Sequence, residues 1–483
     1  MSRDTSFRTS RASRARPSRL SRLSRLLAAA LCAIMVWSLV FAPCAQAFYF
    51  GGVTLKDEKE MGRKFDVLVR SSLPMVQDPE ISDYVKGLVA RISKAIPPQP
   101  FAFQTGVILH NAMNAFAVPG GYVYVFTGLL MHFESEAQVA GVLCHELAHV
   151  TQRHVASRLE RAQIVTLGSL LLAVAGIAAG GGAGGAIATA SLSAGQAAML
   201  NYSRADETEA DQVGLQYLAK AGYPPSGMVG GFKILRQKSW MSGSRVPAYL
   251  STHPDIGDRI NGIGARIQTL PRSIQARTCD DTRFKRMQVL LWGRHGDPSQ
   301  ALQRFRGQDA LSLMGRGMVY SRLNNVSEAS RCFEAAMAKD PRDPLVLREA
   351  GIFHYRKGDA ARAGLLLGQA LQKDPRDYMA KYFLARMLDD EGRRPQAQAE
   401  FREVLRYVPE ESDVHESLGK SYGAGGRQGL AYVHLCYAAL YAHKKELAGR
   451  YFDKAKALQG QNPQEFKRLD TVYKERKEIW KKL

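Results

Sequence analysis

The sharpest constraint in the sequence is a step of 34 residues that runs through its second half. Pro341, Pro375 and Pro409 are spaced by 34, as are Gly358, Gly392 and Gly426, with Asn324 at the corresponding place one unit earlier. Ala329, Ala363, Ala397 and Ala431 keep the same step. Lys339-Asp340-Pro341-Arg342-Asp343 recurs almost letter for letter as Lys373-Asp374-Pro375-Arg376-Asp377. A Gly or Asn that tolerates positive φ suits the turn after a helix. An Ala at a fixed place lets two helices cross closely, and a Pro closes each unit because it cannot continue a helix. A unit this short cannot bury its own apolar face, so it must stack on its neighbours into an α-solenoid.

Thirty-four residues with these marks is the tetratricopeptide pattern. Four units fit, and Lys444 to Lys482 reads as a terminal helical cap. Such an array has no chemistry of its own; it offers a surface to a peptide or a partner protein. Any chemistry must therefore come from the first half of the chain.

There, His145-Glu146-Leu147-Ala148-His149 lies inside the breaker-free apolar run AQVAGVLCHELAHVTQRHVASRL, which predicts a helix. Four residues return to nearly the same helix face, so His145 and His149 converge on one point. Two imidazoles so placed suit Zn²⁺, and Glu146 can act as general base on the metal's open side. With 11 His among 483 residues, a chance match is on the order of one in a hundred. Buried histidines and a buried glutamate also need partners, which a metal supplies.

A second helix is expected from Ser203, paired with Asp206 in a capping box, to Gly222 and Pro224. Glu207 and Asp211 share a face with Gly214 and Leu218, so one carboxylate could ligate a metal and the other orient a histidine ring. The residues alone leave open that these acids merely favour a helix N-terminus. His253, in the loop Leu250-Ser251-Thr252-His253-Pro254, reads on its own as a surface residue or an N-cap contact. Upstream, two helices are expected in residues 54–95, the second capped by Asp78-Pro79. The strand-like FAFQTGVILH follows from Phe101. Then Asn114, Ala115, Phe116, Ala117 and Val118 lead through Pro119-Gly120-Gly121 into the alternating YVYVFT, a hairpin. Pro and Gly at its strand ends suit an edge strand, the kind that binds extended peptides by β-addition.

Charge and composition bound the ends of the argument. The formal charge is +21, of which residues 1–47 hold +7 (eight Arg against Asp4), leaving +14 (21 − 7) for the rest. No nucleic-acid-binding motif accompanies it, so it reads as a solvated basic exterior or an attraction to anionic surfaces. The Arg-rich start, the apolar run from Leu26 to Ala42 and Ala45-Gln46-Ala47 form a signal peptide. Cleavage after Ala47 leaves a mature chain from Phe48; retention as an anchor is the alternative. Residues 162–203 carry no charged side chain, and a helical hairpin is expected there that packs on the active site or dips into the bilayer surface through 164–200; a transmembrane helix is the alternative. Four cysteines remain after export, Cys144, Cys279, Cys332 and Cys436, and their spacing does not choose among three pairings. Residues 271–308 are polar and Arg-rich and read as the interdomain connection, with room for one helix.

Four motifs together carry a resemblance: NAFAVPGGYVYVFTGLL at 114–130, HELAHVTQRH at 145–154, SRADETEAD at 203–211 and THP at 252–254. They resemble the BepA-type (YfgC-type) periplasmic metalloproteases, of the gluzincin group that includes HtpX and the CAAX prenyl protease. The resemblance implies a mostly α, α+β architecture: a gluzincin-type metalloprotease domain with a small β-sheet over 48–270, a linker over 271–308 and the repeat solenoid over 309–483. It implies one zinc per chain on His145, His149 and Glu207, with Glu207 preferred over Glu209. Glu146 is then the base, Asp211 supports a ligand, and His253 lies near the zinc as a regulatory or fourth ligand. It further implies a periplasmic enzyme that tends outer-membrane β-barrel proteins. The edge strand 114–118 would hold unfolded or stalled clients, and the repeats would dock a client or the β-barrel assembly machinery. Metzincin spacing fails, because Gln152 and Val155 stand where Gly and His are required. His154, five positions past His149, is expected to be turned well away on the helix and is not counted as a ligand. A rival reading is a non-catalytic repeat chaperone or scaffold with a structural zinc, which would have no use for Glu146.

Overall fold

The computed structural model of the chain describes residues 54–157, 202–241, 249 and 252–481. The leader 1–47 and the uncharged segment 164–200 lie outside the described residues. Helix α1 (Leu55–Ser72) starts at Thr54, whose side chain and that of Asp57 form a reciprocal capping box. Helix α2 (Pro79–Ser93) starts as its sequence predicts: the Asp78 carboxylate accepts from the backbone N–H of Glu80 and Ile81, and Pro79 occupies the first turn.

Strands β1 (Gln104–Ile108), β2 (Ala115–Val118) and β3 (Tyr122–Phe126) form a sheet in the order β1-β3-β2. β1 runs parallel to β3; β2 is antiparallel to it, pairing Ala115 with Val125 and Val118 with Tyr122. The hairpin turns at Gly120 and Gly121, both at positive φ (82° and 88°), where a side chain would be strained. β2 is therefore an edge strand of this sheet. Beyond the short α3 (Thr127–His132), α4 (Glu136–Thr151) packs against β2 and is buried from Val139 to Val150 without a break. Helices α5 (Arg204–Lys220) and α6 (Ser226–Met241) both pack along α4, and α7 (Ile256–Thr269) lies against α5 and α6.

The stretch 271–308 departs from its expectation as a connection. It forms α8 (Arg272–Gln275), α9 (Thr282–His295) and α10 (Pro298–Arg304), and α9 is structural on both sides. Phe284, Leu291 and Trp292 belong to the same apolar core as α4, while Leu290 belongs to the core of the first repeats. Gln288 Nε2 donates to the carbonyls of Leu130 (2.8 Å) and Phe133 (2.7 Å), and Trp292 Nε1 donates to that of Met131 (3.1 Å). The carbonyls at the end of α3, which have no partner within their own helix, are thus satisfied by α9.

Four helix pairs follow: α11 (Ala310–Arg322) with α12 (Val326–Lys339), α13 (Pro344–Arg356) with α14 (Ala360–Lys373), α15 (Tyr378–Asp390) with α16 (Arg394–Tyr407), and α17 (Ser412–Ala424) with α18 (Gln428–Tyr441). Asn324, Gly358, Gly392 and Gly426 sit in the turns at φ of 56°, 85°, 78° and 77°, and Ala329, Ala363, Ala397 and Ala431 are buried at the crossings. Helices α19 (Lys445–Ala457) and α20 (Pro463–Lys481) complete the array. α20 packs on α1, with Val67 entering a cluster that includes Phe466, Leu469 and Trp480. The array thus meets the first half of the chain at both ends. Between them a buried ion network spans the seam. Arg348 donates to Glu80 (2.8 Å) and Asp377 (3.1 Å), and Arg294 pairs with Asp78 and with Glu349 (2.5 Å).

Among the described residues no helix is long and apolar enough to cross a membrane. Cys144, Cys279, Cys332 and Cys436 are free thiols.

Candidate metal centre and active site

The centre is built where α5 crosses α4. At Gly214 the backbones come so close that a Cβ would stand 3.0 Å from the Cys144 carbonyl oxygen and 3.0 Å from the His145 Cα. That approach lays Glu207 and Asp211, on the Gly214 face, beside the two histidines of α4. His145 Nε2 and His149 Nε2 are 2.9 Å apart. Glu207 Oε1 lies 3.4 Å from His149 Nε2, and its Oε2 lies 3.5 Å from His145 Nε2. His253 joins them, with Nδ1 2.9 Å from Glu207 Oε1 and 3.3 Å from His145 Nε2. Ligand atoms of these four buried residues all lie within 4.8 Å of one another.

The donor set fits a divalent cation. Burial pushes His145 down to about 4, helped by the neighbouring Arg259 charge, and pushes His149 well below its usual value. Both rings are therefore neutral and keep a lone pair for a metal. Burial would raise the Glu207 carboxyl, but the imidazoles of His253, His149 and His145 outweigh it and hold it low. Neither oxygen of Glu146 has a hydrogen-bond partner of normal geometry, an expensive arrangement for a fully buried carboxylate with no cation beside it. Burial pushes Glu146 up to about 7, against the pull of His253. His253 Nε2 stands 3.5 Å from Glu146 Oε1, so this one ring touches both the candidate base and the candidate ligands.

Asp211 Oδ1 lies 2.9 Å from His145 Nδ1, on the side of the ring away from the cluster. The edge strand reaches the same place: the Ala117 backbone is among the groups that lower Glu146, and Asn114 is buried with its Oδ1 unpartnered. Ala115 and Val118 are buried, and Phe116 stacks on Tyr124 at 5.0 Å. Glu209, two positions past Glu207, is not in the cluster; its side chain is 55% exposed.

Sequence reasoning missed Arg259. It donates from Nε (2.8 Å) and Nη2 (2.7 Å) to Asp211 and sets Nη1 against Glu207 Oε2, so one guanidinium braces both acids. The signal was present: Arg259 is a lone charge on the helix face formed by Ile256, Ile260, Ile263 and Ile267. Two aromatic rings were missed as well. Tyr202 stacks on His149 at 3.7 Å and Tyr249 on His253 at 4.3 Å. His154 is corrected too. α4 stops at Thr151 and the chain folds back, bringing His154 Nδ1 to 2.9 Å from His149 Nδ1 rather than away from it.

A helix carrying H-E-x-x-H, crossed by a second helix that brings a buried glutamate to both histidines, defines the metallopeptidase class. Comparison with known proteins narrows this. Residues 76–267 match the description "Peptidase family M48", and residues 314–378 and 354–420 match tetratricopeptide repeats. The chain belongs to peptidase family M48. It is 37% identical over 229 residues to a "Putative beta-barrel assembly-enhancing protease" of Vibrio cholerae, a match spanning 46% of this chain and 46% of that relative. It is 28% identical over 338 residues to the "Beta-barrel assembly-enhancing protease" of Escherichia coli K12 (64% and 68%). It is 32% identical over 193 residues to "Metalloprotease YcaL" of the same organism (38% and 71%).

Proposed function

We propose that the chain is a zinc-dependent endopeptidase of the periplasm that acts in quality control of outer-membrane β-barrel proteins, with its repeats docking clients or the assembly machinery. The observation that carries this is the buried convergence of His145, His149 and Glu207 beside an unpartnered Glu146. The names of the V. cholerae and E. coli relatives support the substrate class, and the leader with its Ala45-Gln46-Ala47 site supports export. His145 Nε2, His149 Nε2 and the Glu207 carboxylate would hold the metal, with Asp211 accepting from His145 Nδ1 and so fixing its ring. Bound Zn²⁺ would supply a Lewis acid that polarises the scissile carbonyl and makes the attacking water acidic. Glu146 takes the proton of that water on its carboxylate and passes it to the leaving amine nitrogen. β2 offers its outer edge to an extended substrate, as edge strands do in β-addition.

His253, with Nδ1 2.9 Å from Glu207 Oε1 and Nε2 3.5 Å from Glu146 Oε1, would act as a fourth ligand or as an obstruction that slows basal cleavage. The test is casein degradation and zinc content of the protein from Phe48 onward, compared with Glu146→Gln. Zinc in both with proteolysis only in the wild type is expected. Zinc in neither would end the reading.

A further inference from the structure

We infer that His154 is a positioning residue of the metal centre, accepting the Nδ1–H of the ligand His149 and anchoring that ring through Glu209. The inference rests on the reading of His145, His149 and Glu207 as ligands and extends it to a second layer.

Five positions past His149, a residue on a continuing helix would point elsewhere. Here the helix ends at Thr151 and Arg153 takes a φ of 56°, a left-handed conformation that non-glycine residues rarely adopt. The conformation is tied down: Arg153 Nε donates to Glu58 Oε1 at 2.7 Å and Nη2 approaches the same oxygen at 2.6 Å, and Glu58 itself is buried in α1. The result is that His154 swings back under the end of α4. It is 4% exposed, with its ring centroid 5.0 Å from that of His149.

The protons on the two rings follow from the ligand reading. A cation held by His145 Nε2, His149 Nε2 and Glu207 would take the Nε2 lone pair of His149 and leave that ring's proton on Nδ1. The 2.9 Å contact between His149 Nδ1 and His154 Nδ1 then makes His154 the acceptor. His154 in turn carries its proton on Nε2, which faces Glu209 Oε2 at 3.3 Å. The relay runs from imidazole to imidazole to carboxylate and ends at a half-exposed side chain. His145 is held by a different device, a direct contact with Asp211, whose oxygens Arg259 already engages. Helix α5 thus contributes Glu207 to the cluster and, two residues on, the outer anchor of the opposite histidine.

The test uses the full-length protein and reads zinc affinity by competition with a chromophoric chelator, the Co²⁺ absorption spectrum, and the melting midpoint of the metal-free protein. His154→Leu fills the space without an acceptor; His154→Asn restores one. The expected result is zinc affinity weakened about tenfold to a hundredfold in the Leu variant, with a shifted Co²⁺ spectrum and a metal-free midpoint close to wild type. Affinity within about threefold of wild type is expected for Asn. Glu209→Ala, at a side chain that is 55% exposed, removes the outer acceptor and is expected to weaken zinc by about threefold to tenfold, and it decides the matter if the Leu variant does not fold. Wild-type affinity in the Leu variant or in Glu209→Ala, or equal losses in Leu and Asn, would overturn the inference. Failure of the wild-type protein to bind zinc would overturn the ligand reading itself.

Discussion

At Gly214 a single hydrogen atom faces the backbone of His145, and the whole centre depends on how little space it takes. A methyl group there meets backbone atoms at 3.0 Å, which cannot rotate aside, so α5 must shift by a few tenths of an ångström. Ala is the better helix former, so Gly214→Ala should change overall stability little while displacing Glu207. Weaker zinc binding with a nearly unchanged melting midpoint is the expected outcome, measured by chelator competition and thermal unfolding. His253 acts at the same scale. Its ring contacts Glu207 at 2.9 Å and stacks on Tyr249, and it stands between the cluster and Glu146. His253→Ala should therefore raise casein cleavage above the wild-type rate; a rate at or below wild type would show that the ring is not an obstruction. The H-E-x-x-H spacing was enough to put His145 and His149 on one face. Arg259 was not found, because its partners Glu207 and Asp211 lie 52 and 48 positions away in the sequence.

At the scale of elements, the seam between α2, α9 and the repeats is held by a network of largely buried charges. Glu349 is buried and takes hydrogen bonds from both Arg294 (2.5 Å) and Arg348 (3.1 Å). Removing one member of such a network strands the others, so Glu349→Ala should cost about 3–5 kcal/mol, read from the urea midpoint. The fourth repeat carries a different sensitivity. His415 Nδ1 and His434 Nδ1 are 3.0 Å apart, and burial lowers His415 to about 4 and His434 to about 3. Both are neutral in the fold, whereas an unfolded histidine titrates near 6.5. Above pH 6.5 neither state takes up the proton. As pH falls below it, the unfolded chain gains protons that the native repeat refuses, so stability is lost towards pH 4, by up to about 1.4 kcal/mol per unit per histidine. Urea midpoints at pH 5 and 7.5 should differ more for the wild type than for His434→Gln. The 34-residue step marks these helices to the residue, because turn glycines and crossing alanines are local requirements. It says nothing of the charged seam, whose members Glu80 and Arg348 are 268 positions apart.

For the whole molecule, the decisive element is α9. A chain ended at residue 270 would lose Phe284, Leu291 and Trp292 from the core that holds α4, and would leave the carbonyls of Leu130, Met131 and Phe133 without Gln288 and Trp292. It should not give a cooperative thermal transition by circular dichroism. A sharp transition like that of the full chain would show that the first half folds alone. Sequence composition hid this, since α9 reads as polar and Arg-rich while its apolar residues sit on faces turned to two different cores. By itself the sequence determined whatever depends on neighbours along the chain: helix and turn positions in the repeats, the capping of α2 and α5, the hairpin at Gly120-Gly121, and the two histidines one helical turn apart. Only the tertiary structure decided which distant groups meet. It brought His253 into the cluster, placed Arg259 across two acids, folded His154 back to His149 and made a stretch of apparent linker part of the core. The physical reason is that a cap or a helix face is set by bonds within a few residues. A buried charge or ring must instead be satisfied by whatever the packed fold brings to it, at any separation in sequence.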